Sequence, residues 1–136
     1  MASKDSHNNL NFAVALNIGA ISSNTTTNGA IIDTQGYESV EFVIQSGTLT
    51  DGGYAPTITE GDASDLTGGT ATAAADLLGT LAGATFAATD DNVVKKIGYK
   101  GSKRYVRLNI VSTGVTTGGT LGATVVRGHA RSKPVA

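Results

Sequence analysis

The chain alternates with a period of two along most of its length. Leu10, Phe12, Val14, Leu16 and Ile18 alternate with Asn11, Ala13, Ala15 and Asn17, which predicts a half-buried strand. At about 3.3 Å per residue such a run is long for so small a chain. It therefore reads either as a core strand or as an arm that reaches a neighbour. A polar turn over 22–29 follows, then a short apolar Ala30-Ile31-Ile32 and a turn at Gln35-Gly36. Val40, Phe42 and Ile44 alternate again. Asp51-Gly52-Gly53 supplies the positive-φ positions a tight hairpin needs, before Tyr54, Pro56 and Ile58. Pro56 has no N–H to donate, so its strand belongs at an edge or beside a bulge.

Residues 61–83 are rich in Gly, Ala and Thr and read as a long surface excursion, with one helical turn expected over 73–78. Strand character returns over 84–88, 93–99 and 104–111, and a closing strand runs over 121–127. About eight short antiparallel strands punctuated by Gly, Asn and Asp predict an all-β sandwich, jelly-roll-like. The expected organisation is a flexible arm at 1–9, one sandwich domain at 10–128 and a tail at 129–136.

Composition narrows the chemistry. The 136 residues include no Cys and two His, which excludes disulfides, thiol nucleophiles and cysteine-held metals. The first residues carry no apolar run of the kind a secretory leader has, and no segment reads as a membrane span. The net charge of −1 conceals a split. Residues 1–91 hold 11 carboxylates against the single cation Lys4, or −10, whereas residues 92–136 hold nine cations and no carboxylate, or +9. Either strands from the two halves neutralise each other across a sheet, or a basic face docks on an acidic partner.

Catalytic equipment is missing from the pattern. His129 stands in Arg127-Gly128-His129-Ala130-Arg131, where neighbouring cations disfavour the imidazolium that triad chemistry needs. Glu60, Asp62 and Asp65 match no calcium-loop spacing, and with Asp90-Asp91 they read as solvated turns. There is no phosphate-binding glycine loop. Lys95, Lys96, Lys100, Lys103, Arg104 and Arg107 interleave with Tyr99 and Tyr105, yet a pleated strand pair scatters them over two faces. Nucleic-acid binding is therefore not expected, and the chain is expected to be no enzyme and to hold no cofactor or metal.

Several stretches resemble the small head decoration, or cement, proteins of tailed bacteriophages. These are residues 28–39 (NGAIIDTQGYES), 75–79 (ADLLG), 95–101 (KKIGYKG), 103–108 (KRYVRL) and 128–134 (GHARSKP). The resemblance implies a β-sandwich or jelly roll on the outer capsid surface of a virion, bound to the major capsid protein lattice. It also implies a symmetric homo-oligomer, with a dimer ahead of a trimer, that clamps neighbouring capsid subunits. No contact motif transfers with it. On charge and position, the expected interface residues are Leu10 and Phe12 in the first strand, Lys100, Lys103 and Arg104 at a basic tip, and Arg127, His129 and Arg131 at the end. The alternative is a carbohydrate- or receptor-binding β-module on a virion surface, which would draw on Tyr37, Tyr54, Tyr99 and Tyr105.

Overall fold

A computed structural model of the chain describes residues 3–135. Ten strands and one short 3-10 turn make up its regular structure: β1 (Asn11–Ile21), β2 (Thr26–Asp33), β3 (Tyr37–Leu49), β4 (Gly53–Gly61), β5 (Thr70–Ala71), β6 (Leu77–Leu78), β7 (Phe86–Ala87), β8 (Val94–Tyr99), β9 (Tyr105–Thr113) and β10 (Gly119–Ala130). They form two antiparallel sheets, ordered β1-β10-β3-β8-β6 and β2-β9-β4-β5, with β7 also pairing with β4. The chain crosses between sheets at nearly every connection. Setting aside the two-residue strands β6 and β7, this is the jelly-roll order, and the all-β sandwich expected from the sequence is what forms.

The core lies between the two inner faces. From one sheet come Val40, Phe42, Ile44, Ile97, Leu121 and Val125; from the other come Tyr54, Ile58, Val106, Leu108 and Ile110. The excursion over 61–83 folds back on the sandwich: β5 extends β4, and β6 extends β8. Where one helical turn is expected over 73–78, only Ala74–Asp76 turns, and as 3-10; Leu77 and Leu78 then enter β6. Pro56 falls on β4 between the residues that pair with β7 (Gly53, Tyr54) and those that pair with β5 (Thr59, Glu60). No strand adjoins it on that side, so the missing N–H interrupts no ladder.

The first strand departs from simple alternation. Its pairing with β10 shifts register between Val14 and Leu16 and again between Leu16 and Gly19. As a result Ala15 and Leu16 are both buried, while Phe12, Val14 and Ile18 face outward, 57%, 56% and 84% exposed. Phe12, Val14 and Ile18 thus face out, Ala13 and Ala15 pack toward the core with Leu16 and Ile21, and Ala20 is exposed. The cause is crowding where the two sheets meet: a Cβ on Gly29 of β2 would run into the carbonyl oxygens of Ala15 and Leu108. Only small side chains fit beside that approach.

Candidate functional site

One end of the sandwich gathers residues from five separated segments. Its centre is Asp33, at the end of β2. Arg104 grips the carboxylate with both arms, Nε to Oδ1 at 2.9 Å and Nη2 to Oδ2 at 2.8 Å. The Gln35 backbone N–H adds a third donor at 2.9 Å. The Arg104 hydrogen bonds, aided by that N–H, hold Asp33 below the usual carboxylate range despite some burial.

Arg127 approaches from β10. Its Nη1 donates to the Asp33 carbonyl oxygen at 2.8 Å, its Nε and Nη2 reach Asn11 Oδ1 at 3.1 and 2.5 Å, and its guanidinium lies 4.9 Å from the centre of the Tyr37 ring. Four strands are tied together by this one side chain, which leaves it a brace and not a free cation.

The 100–103 turn is built on Tyr99. The phenol donates to Glu60 Oε2 at 2.6 Å and accepts the Lys103 backbone N–H at 3.0 Å. Burial first, and the Glu60 carboxylate second, push the Tyr99 hydroxyl above its ordinary value, so it stays protonated and keeps donating. A Cβ on Gly101 would collide with the Tyr99 ring, which explains the glycine there. Lys103 reaches across to Asp62 at 2.5 Å, and this hydrogen bond raises the ammonium's pKa.

Between this turn and the 34–38 loop lies a cleft of about 420 Å³, flanked by Lys100, Lys103, Arg104 and Arg131. Arg131 sits 3.4 Å from Glu38, with both side chains well exposed. His129, at the end of β10, places Nδ1 3.0 Å from Ser39 Oγ. Leu10 Cδ2 lies 3.0 Å from where a Cβ on Gly128 would stand. Both chain ends converge here too: residues 6–10 form a turn capped by Asp5, and the Val135 N–H donates to the Asn8 carbonyl oxygen at 3.1 Å. Residues 1 and 2 of the expected arm lie outside the described residues.

Seven of the eight expected interface residues therefore share this end. Of these, Lys100, Lys103, Arg104 and Arg131 line the cleft and Leu10, Arg127 and His129 lie beside it, whereas Phe12 stands on the outer face of its sheet, opposite Val126. Asn11, Asp33 and Glu60 belong to the site as well; the sequence pattern singled out neither Asn11 nor Asp33, and it pointed to Glu60 only as part of an acidic turn. Their roles come from partners 71 and 116 residues away in the cases of Asp33 and Asn11, and 39 residues away for Glu60.

The charge split resolves into cross-pairing. Asp33–Arg104, Asp62–Lys103, Glu38–Arg131 and Asp90–Lys95 each join a carboxylate from the acidic portion to a cation from the basic one. The five cations of this end, Lys100, Lys103, Arg104, Arg127 and Arg131, stand with five carboxylates, Asp5, Asp33, Glu38, Glu60 and Asp62, so the end is nearly balanced; among the described residues Lys100 is exposed and in no ion pair. The acidic loop is likewise dispersed: Glu60 serves Tyr99, Asp62 serves Lys103, and Asp65 caps the Thr67 N–H at 2.9 Å. Among the described residues, no three His, Asp or Glu side chains converge as metal ligands, and no helix is long and apolar enough to cross a membrane.

Compared with family models, with curated proteins and with solved structures, the chain has no significant match in any of the three.

Proposed function

We propose that this protein is a structural virion component that binds the outer surface of a phage capsid and stabilises the shell by clamping neighbouring subunits. The observation that carries the reading is the braced end, assembled from five chain segments and presenting the exposed cations Lys100 and Arg131. Its ion pairs fix the loops in place, so docking would cost little ordering entropy. Lys100 and Arg131 are its exposed, weakly committed cations, suited to meet carboxylates on a shell. Binding to the assembled lattice and not to free subunits would stabilise the shell by mass action. The sequence resemblance to cement proteins points the same way.

The test is occupancy on purified virions produced with the chain present. An abundant 13.7 kDa band that graded salt releases is the expected result. Lys100→Glu combined with Arg131→Glu should lower occupancy and leave the fold intact by circular dichroism. These two positions are better probes than Lys103 and Arg104, whose reversal would set like charges on Asp62 and Asp33. Absence from virions, together with glycan-array binding, would replace this reading with the carbohydrate- or receptor-binding module.

A further inference from the structure

A second surface lies away from the basic end. On the outer face of the β1-β10-β3-β8-β6 sheet, side chains stand in register rows. One row is Phe12, Val126, Glu41, Gly98 and Leu78; the next is Val14, Thr124, Val43 and Lys96; the third runs through Gly122, Gln45 and Val94. Ile18 completes the third row by folding over Gly122, where a Cβ would strike it. Phe12, Val14, Ile18, Leu78 and Val94 are each more than half exposed. No layer of the sandwich covers them, and a contiguous apolar face of this kind marks an association site.

The face carries two charges, Glu41 and Lys96, on adjacent strands and two residues apart along the ladder. Among the described residues neither is in an ion pair, although Lys96 already pulls on Glu41 from the neighbouring strand, and four other cations are paired. One anion and one cation on an otherwise uncharged face are self-complementary: a two-fold axis lying in the contact plane midway between them sets each against the other's counterpart. We propose that this sheet face is a homodimer interface, in which two copies pack face to face and Glu41 of each meets Lys96 of the other.

The dimensions fit. Five strands span about 24 Å and three rows about 17–20 Å. With side-chain relief and rims, that footprint approaches the ~800 Å² per partner of a stable interface. A groove of about 690 Å³ crosses the face between Val14, Ile18, Gln45 and Thr120. On the sheet's own spacing, the same two-fold carries the exposed Phe12 ring of the second copy toward the Gln45 end of this groove. Burial already raises the Glu41 pKa above the usual carboxylate range, and a facing ammonium would reverse that. The pairing does not depend on capsid binding, since its signature is the oligomeric state of the isolated chain.

Sedimentation equilibrium over a concentration series tests it directly. The wild-type chain should run at twice its 13.7 kDa mass. Glu41→Lys and Lys96→Glu should each weaken the dimer at least about 100-fold, because like charges then face each other twice. Mixing the two monomeric variants should restore a 1:1 heterodimer, and so should combining both changes in one chain. Melting of each variant should match wild type at a protein concentration low enough for both to be monomeric, which separates lost association from lost folding. A wild-type monomer at 100 μM, a single variant that stays dimeric, or a mixture that fails to pair would each overturn the proposal.

Discussion

The two sheets turn very different outer faces to their surroundings. On the β2-β9-β4-β5 sheet the outward rows are Thr26, Val111 and Ala55; Asn28, Asn109 and Thr57; and Ile31, Arg107, Thr59 and Ala71. Asn109 Nδ2 bonds within the face to Thr59 Oγ1 at 3.0 Å, while Asn109 Oδ1 and Arg107 Nε are buried there without a hydrogen-bond partner. The other sheet instead exposes Phe12, Val14, Ile18, Leu78 and Val94. A two-layer sandwich needs only its inner faces to be apolar. Apolar positions on one outer face are surplus to folding, and the contrast separates what holds the monomer together from what it presents to others.

The largest effect should come from crossing a single sheet. Phe42 and Phe12 are both phenylalanines of the same sheet, one fully buried and one 57% exposed. Phe42→Ala should cost about 3–5 kcal/mol, cavity included. Phe12→Ala should stay within about 0.5 kcal/mol for the monomer, measured by urea denaturation at low protein concentration. Equal losses would mean that the outer face is part of the folding core.

Next in size is Gly29→Ala. The added methyl would meet two backbone carbonyl oxygens, on Ala15 and Leu108, and backbone cannot swing aside as a side chain can. A loss of about 1–3 kcal/mol is expected in the same denaturation experiment. A neutral result would remove the crowding that turns Ala13 and Ala15 inward.

The fold was legible in the sequence because alternation, turn glycines and proline report local chemistry, and those local choices agree with the jelly-roll order. Pro56 marked a break in strand pairing, and it falls in the gap between the β5 and β7 pairings of β4 although that strand is not at the sheet edge. The facing of β1 was not legible. Leu10 through Ile18 alternate cleanly, but periodicity does not say which of two sets faces inward when one is alanine. The two register shifts then place Leu16 with the alanines. The basic end was half legible: the cations were visible as a run, while Asp33, Asn11 and Glu60 acquire their roles only through long-range pairing. The −10 and +9 portions looked like separable surfaces and are in fact interleaved by ion pairs.

A loop clamp at the opposite end offers a pH-dependent contrast with the braced basic end. The Asp51 carboxylate accepts the Thr116 hydroxyl and the backbone N–H groups of Thr116, Thr117 and Gly118. The Thr116 hydroxyl, followed by the Thr117 and Gly118 N–H groups, pulls its pKa well below the ordinary 3.8. A depressed folded value contributes stability that is present above 3.8 and lost as pH falls through the folded pKa. Asp51→Asn should therefore lower the melting temperature at pH 7, and the gap to wild type should close as the solution is acidified below that range. A gap as wide at pH 2 as at pH 7 would assign the effect to loop geometry and not to charge, since the charge contribution shrinks from pH 3.8 downward.

The smallest effect returns to the two outer faces. Thr59→Val removes the acceptor of Asn109 Nδ2 on the polar face and keeps the shape of the side chain. Asn109 is only 4% exposed, so its amide would lose a partner that water cannot readily replace. The cost should be about 1 kcal/mol of monomer stability with no change in sedimentation. Glu41→Lys on the apolar face should do the reverse, changing sedimentation and leaving the melt of the dilute monomer alone. If both substitutions moved both readouts, the division of labour between the sheets would fail, since one surface would be serving folding and association together.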